Sequence, residues 1–262
     1  MNRILKIVTF NIRCVWKGDG DGINSFVHRA GMVYEKIMQE KPDLIMFQEI
    51  RSEHLELLKR MLPEYTFVGH FREVDYTGEG LYTAILNEKI QLLGFESYWL
   101  SPTPYVAGSR YKNQSEYPRT CLTLKLRDII TGNIFRSVNI HLDHISDEAR
   151  IEGIRQVLRI TGERNRIDDI PTIIAGDFNA HPDSETMKFC KNYDKFKIYE
   201  ITGEIDTTFH DWGKTSEKID YIFITESIKN NVKAAYVWDD CDEDIYLSDH
   251  YPLCAEIDIK NI

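Results

Sequence analysis

The chain reads as an α/β (α+β) protein in which antiparallel or mixed β-sheets pack together with helices on their outer faces. Three observations predict this class. A strand, a helix and a strand open the sequence, runs of successive strands follow with few helices between them, and strict strand–helix alternation never develops. The first strand is not followed by a G-x-G-x-x-G run, which disfavours a doubly wound dinucleotide-binding sheet.

Residues 4–10 (ILKIVTF) form a β-rich apolar run. Over 23–40, Ile23, Phe26, Val27, Ala30, Val33, Tyr34, Ile37 and Met38 recur at helical spacing, which predicts an amphipathic helix. Pro42-Asp43 ends it, and LIMFQ follows as a buried strand. A short helix starts near Ser52 and turns Leu55, Leu58 and Leu62 inward. The strands YTFVGHF, GLYTAIL, IQLLGF, RTCLTLKLR and NIFRSVNIHL come next, the last two joined by a Thr131-Gly132-Asn133 turn. A second long helix, with Asp147 as its expected N-cap, carries Ile151, Ile154, Val157 and Leu158. PTIIAGDF, a short helix from Ser184, KIDYIFIT, NVKAAYVW and a strand near PLCAEIDI complete the order.

The 262 residues suit one large domain spanning 1–262, with no repeat or linker to divide it. A chain of this size buries roughly 70 to 75% of its unfolded surface, enough for a core without cross-links. Cys14, Cys121, Cys190, Cys241 and Cys254 are odd in number and contain no C-x-x-C pair, which argues against a disulfide framework and a zinc knuckle. A reducing compartment, the cytoplasm, is the expectation, and no apolar stretch is long enough to span a bilayer. The net charge of -10 repels polyanions over the surface as a whole, so affinity for nucleic acid would need a local patch or a bound metal.

Polar groups recur where apolar strands end. Asn11 ends ILKIVTF, Glu49 ends LIMFQ, His141 and Asp143 end NIFRSVNIHL, and Asp177 with Asn179 ends PTIIAGDF. Any one of these alone reads as a turn-forming or capping residue. Their recurrence on the lips of successive strands points to one crevice that collects metal-ligand and acid–base side chains. Glu49 with Asp249 would anchor a hard cation such as Mg²⁺. Asp177 and Asn179, expected on one face around Phe178, would position a water and a phosphoryl oxygen. His250 suits a general base or a charge stabiliser, with Asp220 to orient it. In GSRYKNQSEYPRT, the bases Arg110, Lys112 and Arg119 lie near Tyr105, Tyr111 and Tyr117, and Arg119 is the expected substrate contact.

Taken together, TFNIR, FQE, NIHLDH, GDFN, KIDYIF and LSDH resemble, in order, the motif series of the endonuclease/exonuclease/phosphatase superfamily, the DNase I-like proteins. GDGDGINSFVHRAGMV, GEGLYTAIL, YWLSPTP and YPRT resemble an uncharacterised bacterial branch of it. The resemblance implies a four-layer sandwich of two packed mixed sheets flanked by helices, with the site at one edge. It further implies Mg²⁺ or Mn²⁺ at Glu49 with Asn11 and Asp249 nearby, a water aligned by Asp177 and Asn179, and a phosphate flanked by His141 and by the Asp220–His250 pair. Asp143 joins Arg119 as an expected substrate contact, and Glu79 is an expected partner of His141.

Lys218 stands where abasic-site endonucleases of this superfamily carry Arg, and SEKIDYIF lacks the inositol-phosphatase Cys-Asp-Arg signature, so neither activity is favoured. The expected function is metal-dependent hydrolysis of a phosphoester by water, by a phosphodiesterase with nucleic acid among its candidate substrates. A lipid or sugar phosphate hydrolase and a non-catalytic phosphate-binding module are the rival readings. No membrane insertion and no obligate protein partner are expected.

Overall fold

The computed structural model describes residues 3–17 and 21–260, so Gly18, Asp19 and Gly20 of the GDGDG stretch lie outside the described residues. The chain runs β1 (Ile4–Asn11), α1 (Phe26–Glu40), β2 (Leu44–Ile50), α2 (Ser52–Met61), β3 (Tyr65–Phe71), β4 (Gly80–Leu86), β5 (Ile90–Trp99), β6 (Thr120–Asp128) and β7 (Ile134–His141). It continues α3 (Asp147–Asp168), β8 (Thr172–Asp177), α4 (Glu185–Asn192), β9 (Ile198–Glu200), β10 (Asp220–Thr225), β11 (Val232–Val237), β12 (Cys241–Asp242), β13 (Ile245–Tyr246) and β14 (Leu253–Asp258).

Two six-stranded mixed sheets result, ordered β11-β14-β1-β2-β4-β3 and β5-β6-β7-β8-β10-β9. Each has one parallel pair, β1 with β2 and β7 with β8, and the long helices α1 and α3 make the two crossovers that such pairs require. Strand alternation then sorts the apolar side chains into three layers. Leu5, Ile7 and Met46 of one sheet meet Leu124, Phe135 and Ile173 of the other between the sheets. Val8, Phe10 and Phe47 pack outward beneath α1 and α2, and Val138, Ile140 and Ile174 pack beneath α3 and α4. The architecture is therefore helices, sheet, sheet, helices, as the resemblance implies.

Local departures have local causes. Ile23 falls in a 3-10 turn (Gly22–Asn24) and is 58% exposed, because α1 begins only after Ser25. The N-cap of α3 is Ser146, whose side chain accepts from the Ala149 N–H, while Asp147 is the first helical residue and complements the helix dipole there. The strand β5 continues past Gly94 to Trp99 with a register shift between Leu92 and Gly94. The short strands β9, β12 and β13 were not predicted, since two or three residues carry no measurable period.

Candidate active site

The inward-facing positions of the central strands change character toward one end of the sandwich. On β1 the row Leu5, Ile7 continues as Thr9 and Asn11, on β7 Phe135 continues to Asn139 and His141, and on β8 Ile173 and Ala175 lead to Asp177. The pairings His141↔Asp177 and Asp220↔Asp177 set three of these groups side by side across β7, β8 and β10. Glu49 has the opposite parity on β2 and should face the helices. A register slip between Phe47 and Ile50, with Glu49 at φ 61°, turns its carboxylate into the crevice instead.

The amide of Asn11 spans the two sheets, donating to Glu49 Oε1 at 3.1 Å and to Asp177 Oδ2 at 3.0 Å. Its oxygen accepts from the Arg13 N–H at 3.0 Å, and the residue is 1% exposed, so Asn11 braces the carboxylates from beneath. Glu49 Oε2 accepts from the Cys14 N–H at 2.9 Å. The guanidinium of Arg13 lies 3.5 Å from Asp249. Arg29, fully buried on α1, donates to the carbonyls of Ile12 and Leu247 and so ties together the segments that carry Asn11 and Asp249.

Asp220 Oδ2 lies 2.8 Å from His250 Nδ1, and Asp177 Oδ2 lies 4.0 Å from His250 Nε2 and 3.4 Å from His141 Nε2. Asn179, at φ 48°, donates its backbone N–H to Asp177 Oδ1 at 2.8 Å and its side-chain amide to the Leu142 carbonyl at 3.1 Å. A tight turn, rather than the strand pleat that the alternation predicted, therefore puts Asp177 and Asn179 on the same cavity.

The charges divide this cavity, about 480 Å³ in volume. Burial, reinforced by Asp220, pushes Asp177 up to about 7, and burial together with the Glu49 charge raises Asp249. Burial opposes the charge on Glu49 as well, but the Asn11 amide, Arg13 and His250 hold it below the usual carboxylate range. Burial also opposes an imidazolium at His250, yet Asp220 outweighs it and lifts the group to about 10. His141 is held well below the ordinary value by burial and by the neighbouring Arg119 and Arg72.

Arg72, Arg119, His144 and Tyr117 also line the cavity. Arg119 is 5% exposed and donates to His144 Nδ1 at 2.9 Å. Arg72 and His144 were not picked out in the sequence: Arg72 sits in a loop without a periodic pattern, and His144 is overshadowed by His141 in the same NIHLDH motif. The Glu79 carboxylate pairs with Arg72 at 2.5 Å, which corrects the expected pairing with His141. Asp143, expected to meet substrate, accepts instead from Ser115, Ile145 and Ser146 and does not line the cavity. Arg110 and Lys112 also lie off the cavity lining, and Arg110 donates to the Ser115 carbonyl. Lys218 directs its ammonium to Glu200 and the Thr202 carbonyl.

The model of the Endonuclease/Exonuclease/phosphatase family matches residues 8–250. The uncharacterized protein L388 of Acanthamoeba polyphaga mimivirus is 23% identical over 274 residues, covering 95% of this chain and 98% of its own. A crystal structure of an endonuclease/exonuclease/phosphatase from Bacteroides vulgatus is similar at a TM-score of 0.89 and 28% identity, covering 97% of this chain and 98% of that one. The mannosyl-6-phosphatase of Bacteroides thetaiotaomicron shares the fold at a TM-score of 0.85 and 24% identity, covering 97% of this chain and 99% of that one. Since the family match runs from β1 to His250, through each strand end that points a polar group at the cavity, the chain belongs to the endonuclease/exonuclease/phosphatase family.

Proposed function

We propose that the protein is a divalent-metal-dependent hydrolase of phosphoesters that uses water as its nucleophile. One observation carries this reading: the carboxylates of Glu49, Asp177 and Asp249 share a cavity with Arg119, His141 and His250. The donor chemistry fits a metal. Asp177 and Asp249 are buried close to other acids, and both bind protons more readily than a carboxylate should. A hard cation relieves that crowding, and an all-oxygen set suits Mg²⁺ or Mn²⁺. Glu49 and Asp249 would hold it, with Asn11 fixing Glu49. Once bound, the metal supplies Lewis-acid polarisation of the phosphoryl group.

The chain's own residues supply the rest. Asp177 accepts a proton from a water that Asn179 orients. Asp220 fixes the ring of His250 through Nδ1, so Nε2 faces Asp177 and the reacting phosphoryl group as a donor. His141, kept neutral, completes that side. The mannosyl-6-phosphatase name of one structural neighbour agrees with a phosphoester substrate. The cytoplasm remains the proposed location; among the described residues no helix is long and apolar enough to cross a membrane.

Turnover of para-nitrophenyl phosphate and bis-para-nitrophenyl phosphate should require Mg²⁺ or Mn²⁺ and stop with EDTA. Asp177→Asn and His250→Ala should each lower kcat by about 10² to 10⁴ while the far-UV spectrum stays unchanged. Equal turnover in the presence of chelator would defeat the reading. Metal binding by calorimetry with no turnover of any ester would point to a binding module instead.

A further inference from the structure

One charged side chain lining the cavity is not satisfied by its surroundings. Arg119 is 5% exposed, and its Nε and Nη1 have no hydrogen-bond partner among the described residues. The nearest carboxylate, Asp143, is 3.9 Å from Nε, and both of its oxygens already accept from Ser115, Ile145 and Ser146. A buried guanidinium with two idle donors is costly unless an anion completes it.

Its third nitrogen sets the state of a neighbour. Arginine only donates, so His144 must accept through Nδ1 and carry its proton on Nε2. His144 lines the cavity and thus brings a second donor to the same wall. Arg72, held by Glu79 and lying 4.8 Å over the Tyr117 ring, adds a second guanidinium.

We infer that Arg119, His144 and Arg72 form a recognition wall for a phosphoryl group bearing two negative charges, which makes phosphomonoesters the preferred substrate class. This inference rests on the hydrolase reading above. A phosphomonoester is largely dianionic at neutral pH and presents three terminal oxygens. A phosphodiester carries one charge and puts a second substituent where one of those oxygens would meet the wall. In the reaction the water oxygen bonds to phosphorus as the phosphorus–oxygen bond to the alcohol breaks. One proton passes from that water to the departing alcohol oxygen, and inorganic phosphate is released.

The test compares wild type, Arg119→Gln, Arg119→Lys and His144→Asn, each loaded with Mn²⁺, on para-nitrophenyl phosphate and its bis ester. Wild type should favour the monoester in kcat/KM. Arg119→Gln should lose about 100-fold on the monoester, the scale of two charge-assisted hydrogen bonds, and only a few-fold on the diester. Arg119→Lys should recover part of the monoester rate, and His144→Asn should lower the ratio of the two rates less steeply. Inorganic phosphate should raise the Tm of wild type and leave that of Arg119→Gln unmoved, while in phosphate-free buffer Arg119→Gln melts no lower than wild type.

A wild type that prefers the diester, equal losses on both esters, or unchanged phosphate binding by Arg119→Gln would overturn the inference. An Arg119→Gln protein that melts lower without phosphate would assign the guanidinium to packing and overturn it as well. Hydrolysis of neither ester by wild type would defeat the hydrolase reading itself, and the phosphate-dependent melting shift would still decide whether the wall binds a dianion.

Discussion

Arg29 is a charged residue set in the apolar stripe of a helix, with Phe26 three positions before it and Val33 four after. Its guanidinium meets three backbone carbonyls, of Asn24, Ile12 and Leu247, and burial lowers its pKa to about 10, so it stays charged at neutral pH. The same layer contains His54, fully buried between Phe26 and the edge of Trp16, with Nδ1 accepting from the Arg51 N–H. Burial, aided by the charge of Arg29, lowers its pKa from 6.5 to about 4. Between those values the unfolded chain takes up a proton at this position and the folded chain does not. The stability contributed by neutral His54 is therefore complete above pH 6.5 and is lost as the pH falls to about 4. At on the order of 1.4 kcal/mol per pH unit, the difference in unfolding free energy between wild type and His54→Gln should shrink by on the order of 3 kcal/mol across that window. Urea melts of both proteins from pH 7 to pH 4 check it, and parallel curves would show that His54 does not titrate as a buried neutral ring.

At the scale of elements, the site depends on register. A Cβ on Gly176, at φ +151°, would stand 1.9 Å from the Ile140 carbonyl, so β8 tolerates only glycine immediately before Asp177 if it is to stay paired with β7. Gly176→Ala should cost more than about 2 kcal/mol by the scale of backbone strain, read as a lower urea midpoint. It should also lower kcat in the fraction that remains folded, because the His141–Asp177 pairing depends on that register. An unchanged midpoint would mean that the strands separate there without penalty. Much of this level was legible in the sequence, since β1, β7 and β8 show their apolar alternation directly and each ends in a polar group. Glu49 was legible as a polar group at a strand end but not in its orientation, because the bulge that turns it is set by pairing with β4.

At the scale of the molecule, polar contacts fasten the two sheets at several depths. Gln48 donates to Asn139 Oδ1 at 2.8 Å, and Asn139 donates back to the Phe47 carbonyl at 3.0 Å, midway through the sandwich. At the end remote from the cavity, buried Arg3 joins Asp43 of one sheet, at 3.0 Å, to Asp128 of the other, at 2.7 Å. Arg3→Met should destabilise by about 3 kcal/mol, because it leaves two carboxylates buried without their shared cation. Activity per folded molecule should persist, since the pair lies far from the cavity. A Tm drop accompanied by a proportionate loss of kcat would show that the sheets move as one lever on the site.

By itself the sequence determined the order of the longer strands and the helices, the layering implied by the family motifs, and the polar residues at the strand ends, because local periodicity and short motifs are written in consecutive residues. Only the tertiary structure decided which of those groups meet. Asn11 braces the acids, Asp143 serves a turn, Glu79 belongs to Arg72, and Arg119 remains buried without a full set of partners. Such outcomes depend on distances between strands from different sheets and on loops without a period, and a side chain's partners are fixed only when those segments pack.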